Sequence, residues 1–109
     1  MFIIRASRIR GSRPKRFHAD GWLHYNVKVF IEPDNKSTLE AVQMVVYVLH
    51  PSFNERYRVS VDRKGKFQIQ IWSYDFFDAS AEVLLKDGTY QTVNGEVRWE
   101  GSTEVEEYS

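Results

Sequence analysis

The chain contains no cysteine, which excludes disulfides, thiolate metal sites and a cysteine nucleophile. It has no apolar run near the roughly 18 to 20 residues that a membrane-spanning helix requires. Met1-Phe2-Ile3-Ile4 is too short for the core of a signal peptide, so the expected location is the cytoplasm. Six glycines are scattered singly, leaving no glycine-rich loop to cradle a phosphate. Net charge is absent too, with 15 basic against 15 acidic residues. The distribution is nevertheless lopsided. Arg5, Arg8, Arg10, Arg13, Lys15 and Arg16 precede the first acid, whereas Glu96, Glu100, Glu104, Glu106 and Glu107 crowd the far end. Basic charge alone meets only the first criterion for a nucleic-acid site. The reading preferred is two solvated ends and no nucleic-acid partner.

What is present suits one small domain. A chain of 109 residues supports a single core. Residues 1–100 are expected to fold, with 101–109 as a frayed acidic tail. Hydrophobic content of 42% and charged content of 28% fit a compact, water-exposed fold. Aromatics make up 15% of the chain and favour half-buried pleated surfaces.

Strand patterns recur along the whole sequence. Phe2 to Ile9 reads as a first strand. Leu23, Tyr25, Val27, Val29 and Ile31 then alternate with residues of which Phe30 alone breaks the polar face. Ser37-Thr38-Leu39-Glu40 fits a capping box, so a short helix competes there with a loop feeding the next strand. From about Gln43 to His50 β-branched residues dominate, and Pro51, with no amide hydrogen to give, ends that strand. Tyr57, Val59 and Val61 form another alternating set, as do Phe67, Ile69 and Ile71. Ala79 to Leu85 and Tyr90 to Trp99 make a hairpin across Asp87-Gly88. Asn94-Gly95 reads as a bulge in preference to a second turn. Seven or eight short strands with turns every 8 to 12 residues or so predict an all-β, antiparallel sandwich of immunoglobulin-like size, with a small barrel as the alternative.

Catalysis finds little support. Of the histidines, His18 and His24 lie six positions apart, roughly 20 Å along a strand at about 3.3 Å per residue, with no carboxylate at metal-ligand spacing. His50 and Ser52 flank a proline and no acid is placed to orient the imidazole. Asp75 and Asp78 bracket Phe76-Phe77, where a polar loop edge is a simpler reading than a general acid. A non-enzymatic binding module without cofactor or metal is expected. Phe53 follows one strand, and Tyr74, Phe76 and Phe77 follow Trp72 in a loop some twenty residues on. Two such loops at one end of a sandwich make either a mini-core or an aromatic slot that selects a flat, apolar group.

Val45-Val46-Tyr47-Val48-Leu49-His50-Pro51-Ser52-Phe53 resembles the Val-x-Tyr-x-Leu-His-Pro-Ser/Thr-Phe strand and loop of the YEATS domain family, particularly its prokaryotic branch. Arg56-Tyr57-Arg58-Val59 and Asp62-Arg63 fall where that family carries arginine-rich and Asp-Arg segments. Trp72-Ser73-Tyr74-Asp75-Phe76-Phe77 is similar to its Gly-Trp/Tyr-Gly-x-Phe turn, and Trp22 to Ile31 to its early strand. The resemblance spans about residues 20–98. It implies an immunoglobulin-like sandwich and, by analogy with eukaryotic members, a pocket for acylated lysine. In that analogy Phe53 and Tyr74 are the stacking walls, Ser52 hydrogen-bonds the acyl amide, His50 supports the loop and Phe77 lines the floor. The backbone at Tyr74 and Asp75 then donates to the acyl carbonyl, and Trp22, Trp72 and Phe76 form the rim. Two family glycines are replaced by Ser73 and Asp75, and Asp75 brings a charge to the slot mouth. The expected partner is a protein or acylated peptide. The alternative is a protein-interaction or scaffold module of a bacterial signalling system that binds no acyl-lysine.

Overall fold

A computed structural model describes residues 1–18, 20–34 and 38–100. The strands are β1 (Phe2–Arg8), β2 (Lys15–Arg16), β3 (Leu23–Pro33), β4 (Val42–Val48), β5 (Tyr57–Ser60), β6 (Ile69–Ser73), β7 (Phe77–Leu85) and β8 (Tyr90–Val97). They form two antiparallel sheets packed as a sandwich. In the first, β3 pairs with β1, β2 and β6; the second runs in the order β5-β4-β7-β8. The single turns of 3-10 helix at Leu39–Ala41 and Arg63–Gly65 are the only helical elements among the described residues. Thr38 caps the first by accepting from the Glu40 amide at 3.1 Å; Ser37, the first residue of the proposed capping box, and the 101–109 tail lie outside the described residues.

Period-two alternation explains most of the core. Val27, Val29 and Ile31 of β3 face Val42, Val45 and Tyr47 of β4 and Ala81 and Val83 of β7, all buried. Phe30, the apolar residue on the polar face of β3, sits under the ammonium groups of Lys28 at 5.8 Å and Lys66 at 5.5 Å. An aromatic ring on a wet face is there accommodated by cations.

Three strand readings are corrected. Phe67 is fully buried, but it precedes β6 and has a left-handed backbone, with φ 57°. Tyr57 and Val59 lie on β5 as the alternation requires, yet they point outward and are 64% and 60% exposed, while Ser60 is buried. The register decides this: Ser60 opposes Val45 and Arg58 opposes Tyr47, both core-facing. Finally, β7 and β8 pair without interruption through Ser80–Asn94 and Ala79–Gly95, so Asn94-Gly95 is neither a bulge nor a turn. Glycine is present for closeness instead. A Cβ on Gly95 would sit 3.3 Å from the Ile4 Cβ, which lets β1 lie against β8 and close one flank of the sandwich. The other flank is edged by β5 and β6.

The β4 core is tied to the Phe67 turn by one bond. The buried Tyr47 hydroxyl donates to the Phe67 carbonyl at 2.6 Å. Burial raises the Tyr47 phenol well above its ordinary value, since the charged form would lose its hydration. A phenol raised in the folded state stabilises the fold fully below the unfolded value of about 10, and this contribution is lost as pH climbs from there towards the folded value. Chemical denaturation of Tyr47→Phe is expected to show a loss of about 1–3 kcal/mol near neutrality. It should also show a smaller decline of stability above about pH 10 than the parent. An unchanged alkaline slope would contradict this assignment.

Candidate functional site

The slot is built at the sandwich end where β4 and β6 finish. Pro51 cannot continue β4, and the chain turns: the Phe53 amide donates to the His50 carbonyl at 3.0 Å. The base of the loop is clamped twice, by Leu49 N to Arg56 O at 2.8 Å and by Arg56 Nε to Leu49 O at 2.9 Å. Within it, His50 Nδ1 accepts from the Ser52 amide at 3.1 Å and lies 2.9 Å from Ser52 Oγ. A ring nitrogen that accepts a backbone N–H carries no proton, so the network assigns neutral His50 the Nε2–H tautomer. His50 thus fixes the position of the Ser52 hydroxyl. Phe53 is half-buried and packs on Phe77, ring centroids 4.9 Å apart.

The facing loop, between β6 and β7, closes without glycine. Neither Ser73 nor Asp75 has a positive φ. Ser73 is buried, and its hydroxyl donates to the Asp75 carbonyl at 2.7 Å while receiving the Asp75 amide at 3.4 Å. The Asp75 carboxylate accepts from the Phe76 amide at 2.7 Å. Two polar side chains therefore stitch the turn that the replaced glycines left open to choice. The same bonds occupy the amides of Asp75 and Phe76.

Tyr74 belongs to a second aromatic wall. Its ring stacks on Trp22 at 5.5 Å with a 20° interplanar angle, and His24 meets it edge-on at 5.4 Å. Phe17 extends this wall, touching His24 at 4.5 Å and Trp72 at 5.7 Å. The β2–β3 connection, which supplies Phe17 and Trp22, depends on Gly21, whose φ of +74° is easy only for glycine. Its carbonyl receives Arg16 Nη1 at 2.6 Å. The Trp22 amide donates to Asp20 Oδ1 at 2.8 Å, and Asp20 Oδ2 lies 3.6 Å from His24 Nε2.

Between the Phe53–Phe77 wall and the Tyr74 wall lies an open cavity of about 760 Å³. No ring contact joins Phe53 to Tyr74 among the described residues. His50, Ser52, Phe53, Trp72, Tyr74, Asp75, Phe76 and Phe77 all border the cavity. Trp22, expected at the rim, does not line the cavity but stacks on Tyr74, which does, and Phe76 also packs edge-on against Trp99 at 4.6 Å. Asp78 is elsewhere: it lies on β7 opposite Glu96 and lines a separate, shallow groove.

Sequence reasoning missed Phe17, His24 and Arg58 as cavity residues. The sequence reading considers His24 only as a metal ligand. The signal for Phe17 and His24 was their proximity to Trp22 across a glycine-containing turn. Several of the N-terminal basic side chains are spent locally: Arg5 pairs with Glu32 at 3.1 Å, Arg8 lies over Tyr25 and Lys15 over Trp72. No helix among the described residues is long and apolar enough to cross a membrane.

No curated protein matches this chain. Solved structures of similar fold include the Yaf9 YEATS domain recognising an H3K122suc peptide, with TM-score 0.62 and 15% identity over 91% of this chain and 70% of that one. The Yaf9 YEATS domain bound to H3K27ac gives 0.61 and 16%, over 93% and 76%. The structure of the yeast AF-9 homolog protein Yaf9 gives 0.61 and 16%, over 92% and 74%. At such identities the likeness concerns the fold, an immunoglobulin-like sandwich. The sequence model of the prokaryotic YEATS domain, a family of non-enzymatic binding modules, matches residues 25–97. With two-thirds of its length matched in this way, the chain belongs to the prokaryotic YEATS domain family.

Proposed function

We propose that this domain binds an acylated lysine, or a closely similar flat amide, in the slot between the 50–54 and 72–77 loops. The observation that carries the reading is the open cavity flanked by Phe53 and Phe77 on one side and Tyr74 on the other. An acyl-lysine combines an apolar plane with an uncharged amide. The plane gains about 0.5–1.5 kcal/mol per aromatic contact beyond burial. The amide needs its hydrogen bonds replaced, or it costs about 1–3 kcal/mol. Ser52 Oγ, held by His50, is the side-chain partner. The Tyr74 amide is the backbone donor, because those of Asp75 and Phe76 are already engaged. A free lysine would bring its charge into an aromatic slot with its ammonium solvation lost.

The test is a titration of acetyl- and crotonyl-lysine peptides against the labelled domain by NMR. Shifts are expected at residues of both loops, weakened by Ser52→Ala and absent with unmodified lysine. No perturbation up to millimolar peptide would end this reading.

One observation favours the alternative, a protein-interaction module of a bacterial signalling system. Tyr57 and Val59 on the edge strand β5, with Val61 just beyond it, leave an apolar stripe at 64%, 60% and 70% exposure, and unpaired strand edges invite a further strand. Capture of a protein partner that survives Phe53→Ala would support it.

A further inference from the structure

We propose that the connection between β1 and β2 recognises acidic residues flanking the modified lysine, with Arg10 and Arg13 pairing with their carboxylates. This rests on the acyl-lysine reading above and adds to it the sequence around that lysine. β1 ends at Arg8 opposite Val27, and β6 ends at Ser73 opposite Tyr25, so the connection leaves β1 at the end of the sandwich that carries the slot. It turns at once: Ser12 N donates to Ile9 O at 3.1 Å, and Gly11 takes a φ of +83°. The turn is then pinned, because Asn26 Nδ2 donates to Ser12 Oγ at 3.1 Å. Asn26 lies opposite the cavity residue Trp72, one strand spacing or about 5 Å away. Further along, Lys15 lies opposite the cavity residue His24, and its ammonium is 4.9 Å from the Trp72 ring centroid. Arg10 and Arg13 therefore flank a point held beside the cavity wall.

The same two arginines are the cations left over from local bonding. Arg5 pairs with Glu32, Lys15 lies over Trp72, and Arg16 donates to the Gly21 carbonyl. Arg10 and Arg13 are exposed, and among the described residues neither has an ion pair or lies over a ring. A guanidinium presents a planar fork that fits a carboxylate with two parallel bonds. In an extended peptide, side chains two to four positions from the acylated residue stand about 7–13 Å from it. That matches one strand spacing plus the reach of an arginine. A nucleic acid fits less well, since such sites commonly use about six to ten phosphate contacts and the acids Asp20 and Asp75 border the same slot. A peptide can place separate carboxylates on the basic side alone.

Crotonyl-lysine peptides that differ only in their flanks, with glutamate, glutamine or lysine two to four positions away on both sides, test this by calorimetric or fluorescence titration. The glutamate-flanked peptide is expected to bind about three- to tenfold tighter than the glutamine-flanked one, as two exposed ion pairs allow. The lysine-flanked peptide should bind more weakly still, and the differences should close as salt is raised. In the double variant Arg10→Gln/Arg13→Gln the glutamate preference should vanish, with glutamine-flanked affinity kept within about twofold. Arg10→Lys/Arg13→Lys should retain part of the preference. Thermal unfolding of each variant reports whether the domain is intact. Equal affinity for the three peptides at low salt, or a glutamate preference that persists in Arg10→Gln/Arg13→Gln, overturns the inference and leaves the acyl-lysine reading standing. Binding of a DNA duplex through the same two arginines, without a preference among the peptides, overturns it in favour of a nucleic-acid partner. Failure of every crotonylated peptide to bind overturns both readings.

Discussion

Phe67→Ala is expected to cost about 3–5 kcal/mol of folding stability, the usual range for emptying a buried aromatic site. This is a large fraction of the roughly 5–15 kcal/mol by which domains of this kind are stable. Phe67 fills the space between the sheets just before β6 and is 1% exposed. It does so at a cost, because both Lys66 and Phe67 adopt left-handed φ, 58° and 57°, each disfavoured by roughly 1–2 kcal/mol for a side chain with a Cβ. Local bonds hold the turn: Phe67 N donates to Asp62 O at 2.7 Å and Lys66 N to Arg63 O at 3.0 Å. Ile31 N donates to Lys66 O at 3.2 Å, and the Tyr47 hydroxyl donates to the Phe67 carbonyl. With alanine the strain remains and the burial that offsets it is gone. Lys66→Gly, which relieves strain at an exposed position, should by contrast be neutral or stabilising. Urea denaturation of both variants decides the matter, and a Phe67→Ala loss below about 1 kcal/mol would refute the plug role.

The second large effect concerns the slot. Phe53→Ala is expected to weaken acyl-lysine binding by about 2–4 kcal/mol. That sums a side chain's burial against ligand, about 1.5–3 kcal/mol, with one aromatic contact. The corresponding loss of affinity is roughly thirty- to a thousandfold. Folding should be less affected than by Phe67→Ala, since Phe53 is half-buried at the rim and packs chiefly on Phe77. Tyr57→Ala is the control: its ring is exposed on the outer face of β5 and should leave affinity unchanged. Retained affinity in Phe53→Ala, with the fold intact, would remove Phe53 from the site.

How far the site could be read in advance differs between its halves. Leu49 to Phe53 was legible because Pro51 ends a β-branched run, which puts His50, Ser52 and Phe53 at the start of the following loop. The Trp72–Phe77 half was legible in composition but not in conformation. Glycine's absence there suggested a changed turn, whereas the buried Ser73 hydroxyl takes over by bonding both the carbonyl and the amide of Asp75. The third component, Phe17 and Trp22 of the β2–β3 connection and His24 at the start of β3, comes from fifty or more residues before Tyr74 in the chain. No local pattern states that Trp22 stacks on Tyr74.

The same division runs through the fold. Local chemistry determined that the chain makes short antiparallel strands, where Pro51 and Asp87-Gly88 interrupt them, and that His50, Ser52 and Phe53 share one loop. Alternation, turn propensity and the missing proline amide all act within a few residues. Tertiary structure alone decided which face of β5 is wet, because that follows from its register on β4. It also decided that Phe67 is a strained core plug and not a strand residue, and that Gly95 serves the approach of β1. Above all it set Phe53 and Tyr74 on the border of one open cavity. Those outcomes depend on pairing between segments remote in sequence, whose energies no single segment carries.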